Sequence, residues 1–193
     1  ELPFADIKSI LEVSESKAII FDKKFGKKIL EHRDELPKDM IYICMDKIED
    51  ENVIHLDSLV KKGAQLITDG NEEYINAKPD SNKLAVLLFT SGTTGTSKGV
   101  MLSQKNIVAN INDIYRMDYT QNLKKKAPVV MSVLPIHHTF ELTVDNLGVL
   151  YCGATVCIND KLENIVSNLN RFKPSVILVV PTIAEVFYKK IME

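Results

Sequence analysis

Short β-branched runs alternate along the chain with stretches that are apolar at helical spacing. The runs KAIIFD (Lys17–Asp22) and MIYICMD (Met40–Asp46) each close on an aspartate and a polar stretch, and they predict strands. Leu84–Thr90, Val129–Pro135, Ala154–Asn159 and Ser175–Pro181 extend the series. Several are apolar almost throughout, as expected of strands buried on both faces of a parallel sheet. Between them, Leu162, Ile165, Val166, Leu169 and Phe172 mark one face of a helix over Lys161–Phe172. Ile107, Val108, Ile111, Ile114 and Tyr115 mark another over Lys105–Asp118, with Ser103 placed to cap it. Pro181 opens a last helix, and the polar stretch Ile67–Asn82 predicts a long surface connection. The alternation predicts an α/β fold, doubly wound, with a mainly parallel sheet, helices on both faces and right-handed crossovers.

Composition narrows the partners. The 193 residues suffice for one sizeable core, and 45% hydrophobic with 26% charged residues is the balance of a globular domain. A net charge of -2 gives no general attraction to nucleic acid or anionic lipid, so a polyanion must be held locally. The basic run Lys124–Lys126 reads as a solvated turn. No apolar run reaches the roughly 18 residues of a membrane span, and no signal peptide opens the sequence. Cys44, Cys152 and Cys157 are odd in number and lie in apolar surroundings, which suits buried thiols in a reducing compartment, the cytoplasm. Cys152 and Cys157 lack the spacing and partners of a zinc site. Glu1 rather than Met opens the sequence, which suits a piece of a longer chain.

The candidate chemistry lies in FTSGTTGTSKGV (Phe89–Val100). A phosphate cradle needs exposed backbone N–H groups, small side chains, hydroxyl donors and a cation. Ser91, Thr93, Thr94 and Ser97 supply hydroxyls, Gly92, Gly95 and Gly99 allow a tight path, and Lys98 supplies the charge. The loop is not of the Walker type. Counted from Gly92, Ser97 falls at the second glycine and Gly99 at the metal-binding hydroxyl. The stretch Gly99–Leu102 also reads as a strand where that loop would start a helix.

This segment resembles the phosphate-loop signature of the adenylate-forming enzymes, which include acyl-CoA synthetases, peptide-synthetase adenylation domains and firefly luciferase. Ser97 stands where proline is commonest in that pattern. LPIHHTFE (Leu134–Glu141) is similar to the family's Leu-Pro-Leu-x-His segment and puts His138 at the motif histidine. YCGATVCI and FKPSVILVVPTIAEVF further along, and ELPFADIKSILEVSESKAIIFD upstream, extend the resemblance over nearly the whole chain. The match is most like bacterial long-chain fatty acyl-CoA synthetases.

The resemblance implies a two-step reaction: a carboxylate attacks the α-phosphate of MgATP, and a thiol, usually coenzyme A, then displaces AMP. It implies that Thr90, Ser91, Gly92, Thr93, Thr94, Gly95, Ser97, Lys98 and Gly99 hold the β- and γ-phosphates. Thr93 would contact Mg²⁺, and His138 would be the pocket residue near the carboxylate or adenylate. Partners would be a fatty acid or other carboxylate, ATP and CoA, with a peripheral membrane contact left open in the full protein.

The family's Tyr-Gly-x-Thr-Glu adenine segment, its ribose-binding aspartate and its lysine-bearing C-terminal domain are absent from these residues. Residues 1–193 therefore read as a partial adenylation domain with its phosphate loop at 90–99, inactive by itself. A non-catalytic phosphate-binding module and an adenylation domain for another carboxylate are the alternatives. His137 and Glu141, four apart, have helical metal-ligand spacing, but no third or fourth ligand is in sight. His32 and His55 read as surface or loop residues.

Overall fold

Apolar residues at every second position set the faces of two parallel sheets. A computed structural model describes residues 2–90, 98–117 and 128–192, with the backbone only at 186 and 190–192. The chain divides into two units, Glu1–Pro79 with Phe89–Gly99, and Asp80–Leu88 with Val100–Glu193.

In the first unit, α1 (Phe4–Val13) precedes a parallel sheet ordered β1 (Ala18–Phe21), β2 (Ile41–Cys44), β3 (Val53–His55). The aspartates that close the first two strands anchor α2 (Lys23–Leu30) between them. Asp22 accepts the Lys24 N–H at 2.8 Å and Asp46 accepts the Lys23 N–H at 3.0 Å. On one sheet face Phe21, Tyr42, Cys44 and Val53 are buried against Leu11 and Ile29 of the two helices. The row Ile20, Ile43, Ile54 faces the other way, with Ile20 and Ile54 exposed. α3 (Leu56–Thr68) follows β3, and residues 71–82 are exposed, in agreement with the expected surface connection.

β4 (Leu84–Thr90) and β5 (Lys98–Ser103) pair in a two-stranded sheet of their own. Ser103 then caps α4 (Gln104–Arg116) reciprocally: its hydroxyl accepts the Asn106 N–H at 3.2 Å, and the Asn106 side-chain oxygen accepts the Ser103 N–H at 3.0 Å.

The second unit is doubly wound around β6 (Val129–Ser132). Its parallel sheet runs β7 (Thr155–Ile158), β6, β8 (Val176–Ile177), so the chain moves first to one side of β6 and then to the other. Met131 and Val133 pack on α5 (Ile165–Phe172) and α6 (Pro181–Met192) through Ile165, Leu169, Phe172, Ile183 and Phe187. Val130 and Ser132 face the opposite layer, a helix over residues 139–151 that is wound as a π-helix from Glu141 to Gly148. Gly148 suits the winding of this helix, because a Cβ there would crowd the Thr143 carbonyl oxygen at 3.0 Å, while Ile114 of α4 would stand at an ordinary contact distance of 3.5 Å.

The structure departs from the sequence pattern in a few places. β3 has three residues, too few to display alternation. β8 pairs only at Val176 and Ile177, where β6 offers Val130 and Met131 as partners; Val179 and Val180 beyond it are exposed. The first turn of the Lys161–Phe172 helix is a 3₁₀ turn, Leu162–Asn164. α4 ends at Arg116; Asp118 and Lys124–Lys126 lie outside the described residues. Ile165 is 1% exposed in the second core, so Ile165→Ala should cost about 2–5 kcal/mol in urea unfolding, whereas Val166→Ala, 46% exposed on the same helix, should stay within about 0.5 kcal/mol.

Candidate functional site

Thr90 ends β4 and Lys98 begins β5, both solvent-exposed, so the paired strands hold the two ends of the Ser/Thr/Gly loop at one place. Gly99 follows on β5, also exposed. Ser91, Gly92, Thr93, Thr94, Gly95 and Ser97 lie outside the described residues.

His138 belongs to the second unit, in the segment that leaves the carboxyl end of β6. In a doubly wound sheet the carboxyl ends of the strands flanking the point where the chain reverses direction form a crevice, and here those strands are β6 and β8. The His138 N–H donates to the Pro135 carbonyl at 3.0 Å, and its own carbonyl accepts the Leu142 N–H at 3.0 Å. The residue is thereby bound into the turn that starts the helix. Its ring is exposed and lies 4.4 Å from that of His137. Beside this turn runs a groove of about 360 Å³ between α4 and the helix, lined by Leu102, Asn106, Ile107, Phe140, Thr143 and Val144, among others. Its walls are mainly apolar with a few amides and hydroxyls, the make-up of a small-molecule site.

Beneath the turn lies a buried polar cluster. Glu141 and Asp145 are both 0% exposed. One oxygen of Glu141 accepts a bond from the Ser132 hydroxyl at the end of β6, and its main-chain carbonyl accepts the Asn146 side-chain amide at 2.9 Å. Among the described residues the second Glu141 oxygen and both oxygens of Asp145 meet no hydrogen-bond donor. Burial, and then the neighbouring Glu141 carboxyl, push the Asp145 acid from its ordinary 3.8 up to about 8.

A family model described as "AMP-binding enzyme" matches residues 1–192. The chain belongs to the AMP-binding enzyme family. It is 29% identical over 182 residues to luciferin 4-monooxygenase of Photuris pensylvanica, covering 93% of this chain and 33% of that protein. It is 28% identical over 193 residues to human long-chain-fatty-acid–CoA ligase 6, covering 97% of this chain and 26% of the ligase. The crystal structure of a long-chain-fatty-acid-CoA ligase from Archaeoglobus fulgidus shares the fold, with a TM-score of 0.70 at 20% identity, over 96% of this chain and 34% of that one. The chain thus spans about a third or less of the length of these relatives.

Against this AMP-binding family background, the described ends of the loop, Thr90, Lys98 and Gly99, fall in the first unit and His138 in the second. The helical metal-ligand spacing of His137 and Glu141 dissolves in three dimensions: His137 sits in the turn ahead of the helix, and Glu141 is turned inward onto Ser132. Among the described residues no group of three or more His, Cys, Asp or Glu could hold a metal ion, and no helix is long and apolar enough to cross a membrane. His32 is exposed, stacked on Phe4, as expected. His55 departs from expectation; it ends β3 half-buried, its Nε2 3.4 Å from the Ile48 carbonyl.

Asp145 escaped the sequence reading. Its signal was a second acid four residues after Glu141 in the half-apolar ELTVDNLGVL, but an acid on a helix is usually solvated. The folded protein keeps the Asp145 proton at pH values where the unfolded chain has lost it. This carboxyl therefore lowers stability progressively from about pH 4 to about pH 8, by at most about 1.4 kcal/mol per pH unit, with no further loss above that window. Urea midpoints measured across that range should fall as pH rises, and Asp145→Asn should flatten the slope.

Proposed function

We propose that this chain is the phosphate-loop-bearing part of an AMP-forming acid–thiol ligase, a partial adenylation domain that acts within a longer polypeptide on a long-chain fatty acid. The observation that carries the reading is the segment Phe89–Val100, with Thr90 and Lys98 exposed at the ends of two paired strands in a member of the AMP-binding family. A carboxylate and a polyphosphate repel each other, so bringing them together needs fixed positive charge and oriented donors. Lys98, the backbone N–H groups and the hydroxyls of Thr90, Ser91, Thr93, Thr94 and Ser97 hold the β- and γ-phosphates, with Gly92, Gly95 and Gly99 allowing the close approach. The carboxylate oxygen attacks the α-phosphate, the bond to the β-phosphate breaks, and pyrophosphate leaves with its charge held by the loop. The thiol of coenzyme A then attacks the acyl carbon and AMP leaves.

Mg²⁺ would be held by one hydroxyl, Thr93, and by phosphate oxygens, as suits an ion that seldom sits in an all-protein cage. It would spread the charge of the leaving group. His138 immediately precedes Thr139 and Phe140, which line the groove, and that groove has the character needed for an acyl chain ending in a carboxylate. The named chemistry of human long-chain-fatty-acid–CoA ligase 6 supports a fatty acid.

In the enzyme carrying this chain, labelled pyrophosphate should exchange into ATP only when an acid is supplied, with long-chain acids best in a panel. Exchange led by an aromatic or amino acid would replace the substrate and keep the chemistry. Lys98→Ala should lower exchange by about 10²-fold or more. The 193-residue chain by itself should turn over nothing and bind MgATP weakly in calorimetry, with heats that vanish in Lys98→Ala. Identical heats in both would remove the loop from the mechanism.

A further inference from the structure

Glu141 and Asp145 sit four residues apart on the π-helix, wholly inside the second unit, and among the described residues three of their four carboxyl oxygens meet no donor. Ionised carboxylates only accept, so the two cannot bond to each other unless a proton turns one into a donor. Among the described residues, the elements in closest contact with the helix bring no buried compensating charge. On α4 the titratable side chains are Lys105, Asp113, Tyr115 and Arg116, all at exposed positions. β6 carries none, the last turn of the helix carries Tyr151, also exposed, with Cys152 half-buried just beyond it, and His137 and His138 are exposed ahead of it. Neither acid lines the groove beside the helix or the small apolar cavity beneath it, and among the described residues no group of three or more His, Cys, Asp or Glu could hold a metal ion. The cation that fits is a proton.

We propose that Glu141 and Asp145 share one buried proton and that the pair is a positioning device for His138. Glu141 fastens the helix start to β6 through Ser132, and the Asn146 amide holds the Glu141 carbonyl. The same turn is closed by the Leu142 N–H on the His138 carbonyl and by the Thr143 hydroxyl on the Thr139 carbonyl at 2.8 Å. The π winding, Glu141–Gly148, covers the residues of this side-chain clamp, and such turns recur at functional positions. Loss of the proton leaves two like charges in an apolar layer. They can be relieved only by separation or by water, and either displaces the turn that carries His138 and Phe140. Its consequence for catalysis, and only that, rests on the proposed ligase reading.

Carboxyl ¹³C NMR of the 193-residue chain tests the pair directly. Asp145 should titrate far above the ordinary carboxylate range, and in Glu141→Gln its midpoint should fall by about one pH unit or more. The imidazole resonances of His138 should move at the Asp145 midpoint, and that step should vanish in Asp145→Asn. Asp145 titrating as an ordinary carboxylate, or His138 resonances indifferent to its midpoint, would overturn the proposal. If Asp145→Asn does not fold, the Glu141→Gln midpoint and the wild-type His138 step still decide. In the enzyme, the fall of pyrophosphate exchange on the alkaline side should follow the same midpoint; absence of all exchange would count against the ligase reading while leaving the NMR result on the pair intact.

Discussion

Strand β6 is paired along both edges and covered on both faces, and the second unit is organised by the need to satisfy all four sides at once. Its edges are met by β7 and β8. Its faces divide by alternation, Met131 and Val133 toward α5 and α6, Val130 and Ser132 toward the π-helix. A strand so enclosed can send its chain out only at the carboxyl end, where the LPIHH segment emerges beside the crevice of the doubly wound sheet. The location of His138 is thus a consequence of how β6 is packed. The buried Ser132 hydroxyl, the one polar side chain of that strand, would be costly without a partner, and Glu141 provides it.

The two pieces of candidate chemistry are built by different means. The candidate loop is bounded locally: two paired strands carry Thr90 and Lys98 at its ends. The histidine turn is held from below by a polar cluster in an apolar layer, the most expensive kind of support, since an unsatisfied buried carboxyl costs several times what a surface one does.

Strands were legible where the chain announces them. Leu84–Thr90 is a strand over its whole predicted length, and the Ser103 cap falls where it was expected, because both depend on a few adjacent residues. The three-residue β3 was not, because it is defined by pairing to β2 rather than by its own pattern. The run Ser175–Pro181 announces seven residues of strand, yet pairing at β8 stops after two, since hydrogen bonding needs a neighbour as well as propensity.

By itself the sequence determined the α/β class, most of the local elements and membership of the AMP-binding family, because each is written in contiguous residues. Only the tertiary structure decided the order β7-β6-β8, the two separate faces of β6, and which acids face inward. Glu141 and Asp145 look in sequence like many solvated helix carboxylates. Whether such a group meets water or another acid depends on residues far away in the chain, and a local pattern carries no record of them.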